Sequence, residues 1–171
     1  MTQTEPRRAP ELTFKAVETG RVITLDKLEF PTVVMLVSQG SSEQTNAVVE
    51  AVRGRYPTVE EAQIVSVVDL RKFPKLVRKV AETLMAQRYK ESAKNILEGR
   101  DPARYIVILP DWDAKAMVGF GIEDVGTTMA IAVVMPGGEV AGVYQGENPG
   151  AAALELLGTA TNPPSATHNP E

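Results

Sequence analysis

The sequence predicts an α/β fold in which a central mixed sheet is flanked by helices, with an N-terminal β-hairpin and a long helical insertion. Three observations predict it. Apolar runs without alternation, such as Val33-Val34-Met35-Leu36-Val37 and Ile64–Leu70, read as strands buried on both faces. Helical patterns alternate with these runs, which is the signature of a largely parallel sheet. A further apolar run, Met129–Met135, is followed by Pro136-Gly137-Gly138 and Val140–Tyr144, a closing hairpin that adds antiparallel strands.

Taken in order, Leu12–Lys15 and Val22–Leu25 flank Thr19-Gly20 and form the first hairpin. After the strand Val33–Val37, the turn Ser38–Gln44 opens an amphipathic helix carrying Ala47, Val48, Ala51 and Val52. Ser41 with Gln44 three residues on has the spacing of a capping box. The strand Ile64–Leu70 leads to Pro74, placed as the first residue of a helix that runs to about Leu97 and stops at Gly99. Its apolar pattern changes phase. At about 100° per residue, Leu76, Val77, Val80, Ala81 and Leu84 share one face, and Tyr89, Ala93, Ile96 and Leu97 share a different one. Either the helix breaks near Ala86–Arg88, or its second half meets another element or another subunit. A strand Tyr105–Leu109, a short helix from Ala114 to about Phe120, the closing hairpin and a last helix Ala151–Leu157 complete the order. The expected organisation is a flexible N-terminus at 1–10, one domain at 11–158, and a disordered tail at 159–171 rich in Pro, Thr and Asn.

Composition excludes several chemistries. The 171-residue chain has no cysteine, which removes disulfides, thiolate catalysis, thiolate metal sites and iron–sulfur clusters. The one histidine, His168, falls in the tail, so the folded body has no imidazole for acid–base work or haem ligation. Net charge is −4 and uneven: residues 71–104 hold 10 basic and 4 acidic side chains, and residues 105–171 hold 1 and 8. That asymmetry suits a basic helical face covering an acidic neighbour in the same fold or in a second copy, or a surface for an anionic partner. No aromatic residues interleave the basic ones, and no nucleic-acid partner is expected. No apolar run reaches the roughly 18–20 residues of a membrane span. The polar Met1–Glu11 lacks the apolar core of an export signal. No membrane partner and a cytoplasmic location are expected, or export if a leader has been removed.

The order of elements and three local strings resemble the thioredoxin-like superfamily, in its redoxin and peroxiredoxin branch. The strings are Val33–Ser38 with Ser41–Val52; Val107–Ile122 with Ala114-Lys115-Ala116 and Phe120-Gly121-Ile122; and Thr127–Tyr144. Within that branch the stretches Gly40–Val52 and Val107–Ile122 look most like the cysteine-less YtfJ type. The resemblance implies that Ser41 and Gln44 occupy the two positions of the family's redox cysteines. It implies that Met129 stands where the family has its cis-proline. A serine hydroxyl is far less acidic than a thiol and forms neither disulfide nor sulfenic acid. A cis bond before a residue other than proline costs roughly 2.5–4 kcal/mol, so a trans peptide is expected at Met129.

Function follows by subtraction. The expectation is a redox-inactive binding or interaction module that needs no cofactor and no metal. A protein or peptide partner would be held at Ser38–Gln44 (Ser38 and Ser42 in particular) with Thr128 and Met129, as the family holds extended peptides. A homodimer through 74–98 is the second expectation. Trp112 is either a lid over the short helix that follows it or an exposed anchor for a partner. Asp111, Asp113, Glu123 and Asp124 read as helix-capping and solvated carboxylates, because the string lacks the later ligands and glycine of a calcium loop. The alternative is an enzyme of another class that uses the Ser38–Gln44 turn as an anion or substrate pocket, with Ser41 or Lys115 in some role.

Overall fold

A computed structural model describes residues 7–161. The elements are β1 (Thr13–Lys15), β2 (Val22–Thr24), β3 (Thr32–Val37), α1 (Gln44–Arg55), β4 (Gln63–Asp69), α2 (Arg78–Ala93), α3 (Pro102–Tyr105), β5 (Ile108–Asp111), α4 (Lys115–Phe120), β6 (Ala130–Val134), β7 (Val140–Gln145) and α5 (Pro149–Thr161). Two 3₁₀ turns, Gln39–Ser41 and Lys75–Val77, precede α1 and α2.

β1 and β2 form a separate antiparallel hairpin. The main sheet has the order β5-β4-β3-β6-β7, with β3, β4 and β5 mutually parallel and β6 and β7 antiparallel to their neighbours. The apolar run of β3 is buried along its whole length, because it lies at the centre of this sheet. One face, with Val34, Leu36, Val65, Val67 and Leu109, packs on the hairpin and on Met117 and Phe120 of α4. The other, with Val33, Met35, Ile131 and Val133, packs on Val48 and Val52 of α1 and on Ala153 and Leu157 of α5.

Several expectations need adjustment. The strand placed at Tyr105–Leu109 starts at Ile108 instead. Asp101 accepts a hydrogen bond from the Ala103 amide at 3.0 Å and Pro102 opens the one-turn α3, a helix start that competes with the strand. Residues 7–9, expected in the flexible N-terminus, are bonded to the β6–β7 turn: Ala9 N donates to Gly138 O and Val140 N donates to Arg7 O, both at 2.8 Å. At the other end α5 continues through Thr161, past the expected start of the tail. The tail beyond residue 161, with His168, lies outside the described residues.

The helical insertion is one continuous helix from Arg78 to Ala93, without a break at Ala86–Arg88. Its buried stripe takes Ala81 from the first expected face and Tyr89 from the second, and the helix ends at Ala93, short of the expected Leu97, which is 64 % exposed. Ala81 and Met85 are buried and Tyr89 packs beside them, against Leu70 and Ile108. The rest of the face expected from its first half turns outward: Leu76, Val80 and Leu84 are 96 %, 57 % and 48 % exposed.

Asp111, at the end of β5, caps α4. Its Oδ1 accepts from Lys115 N at 3.0 Å and its Oδ2 from Ala116 N at 2.9 Å. Burial, reinforced by the neighbouring Asp69 carboxylate, pushes its pKa up despite these two amides. A carboxyl with a raised folded-state pKa contributes stability below its ordinary value of 3.8 that is lost as pH climbs through the folded-state value. Urea midpoints of the wild type should therefore fall relative to those of Asp111→Asn as pH rises above 3.8. Midpoints that run parallel with pH would contradict this.

Candidate functional site

The turn after β3 is built by its own serines. Ser38 caps the 3₁₀ turn: its Oγ accepts from Gly40 N at 3.2 Å, and the Ser41 Oγ accepts in return from Ser38 N at 2.9 Å. The capping box is thus Ser38 with Ser41, not Ser41 with Gln44. The N-cap of α1 is Glu43, whose side chain makes no capping bond. The reason lies in the tertiary structure. Gln44 reaches away from the turn, and its Oε1 accepts from the backbone N–H of Met129 at 2.9 Å. Met129 is fully buried, and no peptide bond among the described residues is cis.

Two more contacts join these segments. The Ser38 hydroxyl lies 3.0 Å from both Val125 O and Gly126 O and shares its proton between them. Gly40 lies so close to the Gly126 carbonyl that any Cβ at residue 40 would collide with it. From the far side, Gln145 Nε2 donates to Asp124 O at 2.6 Å and to Thr128 O at 2.9 Å. The expected residues Ser38, Ser41, Gln44, Thr128 and Met129 therefore do converge. They spend their hydrogen bonds on one another and on the 124–128 loop. Ser41 is 1 % exposed, and its hydrogen-bond partners among the described residues are atoms of Ser38 alone. Lys115, on α4, has an exposed side chain with no ion-pair partner among the described residues.

Trp112 and Ser42 lie elsewhere. Trp112 packs on the Leu70, Ala81, Met85 and Ile108 cluster under α2, with the Arg78 guanidinium carbon 4.7 Å from its ring centroid. It covers α2 and not the short helix α4. The Ser42 Oγ accepts from Arg88 Nη2 at 3.2 Å, a link between the turn and α2. Of the acidic string, Asp111 caps α4, and Asp124 accepts from Gly126 N at 2.9 Å and sits near Arg71 and Lys72.

Beside this turn lies a feature the sequence reading missed. A cavity of about 1010 Å³ separates α1 from α2 above β4 and β5. Met35, Ile64, Ser66, Val68 and Ile108 line it from the sheet, Val49 from α1 and Met85 from α2. Ser38 and Ser42 lie on its wall at the end of the turn. Ser66 was the available signal. A serine in the run Ile64-Val65-Ser66-Val67-Val68 marks one face of a central strand as less than fully packed.

No family model and no curated protein matches the sequence. Solved structures do match the fold. A putative electron transfer protein from Aquifex aeolicus VF5 superposes with a TM-score of 0.65 at 10 % identity, covering 98 % of this chain and 100 % of that one. A putative thioredoxin from Neisseria meningitidis gives 0.62 at 14 % identity, with 95 % of each chain covered. A putative thiol:disulfide interchange protein DsbE from Chlorobium tepidum gives 0.61 at 17 % identity, covering 92 % and 96 %. The fold is thioredoxin-like. On this thioredoxin-like scaffold the chain carries no cysteine, so thiol–disulfide exchange through its own residues is ruled out.

Substitutions at two positions probe the closed turn. Gln44→Ala leaves the buried Met129 amide without an acceptor, which should cost about 1–3 kcal/mol and speed exchange of that amide's hydrogen. Gln44→Glu keeps an acceptor and should restore most of the protection. Gly40→Ala should destabilise by roughly 1–3 kcal/mol, because the 126 loop must move. Unchanged denaturation midpoints and unchanged Met129 exchange would contradict the geometry.

Proposed function

We propose that this protein is a non-catalytic binding module whose ligand occupies the cavity between α1 and α2, and not the groove that thioredoxin folds use for extended peptides. One observation carries the reading. The backbone groups that an added strand would need are already engaged: the carbonyls of residues 124, 125, 126 and 128 and the amide of 129 all bond within the chain. The neighbouring cavity, in contrast, has an apolar floor and a few polar groups at its rim. Its volume lies at the upper end of the roughly 300–1,000 Å³ of small-molecule sites.

The neutral dye Nile red should bind the full chain saturably, near one to one. Ser66→Phe, which fills the floor, should lose most of that binding without unfolding the chain. Absence of dye binding, or a Ser66→Phe variant that binds equally well, would overturn the cavity reading.

A second reading rests on the outward face of α2. Val80 and Leu84, with Leu76 and Val77 of the 3₁₀ turn before it, are exposed apolar residues within the basic segment. We propose self-association through these residues, with the acidic C-terminal portion of the chain supplying opposite charge in the second copy. Sedimentation should detect a dimer at high micromolar concentration, and Val80→Glu should dissolve it. A wild-type monomer under those conditions would dismiss this reading.

A further inference from the structure

The cavity is not uniform along its length. Its floor is apolar, and at one end three lining residues stand together: Arg53 from α1, and Arg100 and Tyr105 from the segment leading to β5. Both guanidinium carbons lie 5.1 Å from the centroid of the Tyr105 ring. The Nη1 of Arg53 is shared among Tyr56 O, Thr58 O and Ala62 O, at 3.1, 3.2 and 2.7 Å, which fixes the guanidinium in place. Its Nη2 is buried and has no hydrogen-bond partner among the described residues. The Arg100 side chain gives one bond among the described residues, from Nη1 to Pro57 O at 3.0 Å. Burial and the nearby Arg100 charge both pull the Arg53 pKa below its ordinary value, partly opposed by Tyr105 and Glu61.

Two guanidiniums stack on one ring at this end of the cavity, and Arg100 keeps donors unengaged among the described residues, which suits the end to an anion. The remaining charged residues of the lining are Arg88, which bonds Ser42, and the carboxylates of Glu50 on α1 and Glu91 on α2. Neither carboxylate forms an ion pair among the described residues, and neither belongs to the group around Tyr105. The polar end and the apolar floor thus ask for different parts of one molecule.

We propose that the cavity takes a single-chain amphipathic anion: an alkyl body over Met35, Ile64, Val68 and Ile108, and a carboxylate at the Arg53–Tyr105–Arg100 end. This rests on the cavity reading above and adds the ligand class. Guanidinium is suited to the head group, since it stays charged and offers paired donors to a carboxylate. The alkyl chain gains by leaving water for the apolar floor.

The test is displacement of Nile red from the full chain at neutral pH by three ligands of equal chain length: decanoate, 1-decanol and decylammonium. Decanoate should displace the dye at about tenfold lower concentration than the alcohol, as a charge-assisted hydrogen bond warrants, with decylammonium the weakest. Arg100→Gln should bring decanoate to the level of the alcohol and leave the alcohol unchanged. Arg53→Gln is the less suitable variant, because that side chain also ties the loop after α1. Dye binding with equal displacement by acid and alcohol would overturn the anion inference and leave the cavity reading standing. Tightest displacement by decylammonium would overturn it as well, and would assign the head group to Glu50 and Glu91. Failure of the dye itself to bind would instead count against the cavity reading.

Discussion

A buried amide must find an acceptor, and at Met129 that requirement organises the region where related folds carry their chemistry. A proline in that position would bring no N–H group. Methionine brings one, in a fully buried setting, and the penalty for leaving it unmatched is about 1–3 kcal/mol. The side chain that answers it belongs to Gln44, at the position the resemblance assigns to the second redox cysteine. The two positions are thus tied by one hydrogen bond: the Gln44 side chain satisfies the donor that Met129 brings. Ser38 and the Gly40–Gly126 approach complete the closure. What remains is a rigid junction between α1 and the loop before β6.

The cavity follows from how the second helix is set. α1 and α5 share the coverage of β3 and β6, and α2 packs by a narrow stripe of Ala81, Met85 and Tyr89 against Leu70 and Ile108. Neither helix covers β4 between them, so Ser66 and Val68 stay partly exposed on a central strand. Cations contributed by α1 and by the segment after α2 meet at one end of the gap. The same insertion that leaves the gap open also carries most of the basic charge of the chain.

The sheet was legible because its signals are local. A six-residue run such as Thr32–Val37 has no polar side to turn to water, so its central place follows from residue types alone. The hairpins were readable for the same reason, from Gly and Pro at their turns. The phase of α2 was not, because its two halves offer competing apolar faces and only the neighbours decide between them. Leu76, Val80 and Leu84 lost to the stripe Ala81, Met85 and Tyr89, since that stripe is the one facing Leu70 and Ile108. The Ser41–Gln44 spacing fitted a capping box equally well, and the pull of Met129, 85 residues away, has no trace in the local pattern. Ser66 was visible all along, as the one polar residue within the run Ile64–Val68.

The central claim is that the turn after β3 is closed by its own hydrogen bonds and that the ligand is held in the adjacent cavity. An NMR titration of isotopically labelled full chain with decanoate tests it residue by residue. The account predicts intermolecular NOEs and shift changes at Ser66, Val68, Met85 and Ile108, with the amide of Met129 still bonded and unshifted. Changes concentrated at Ser38, Gly126, Thr128 and Met129, with the cavity residues silent, would contradict it.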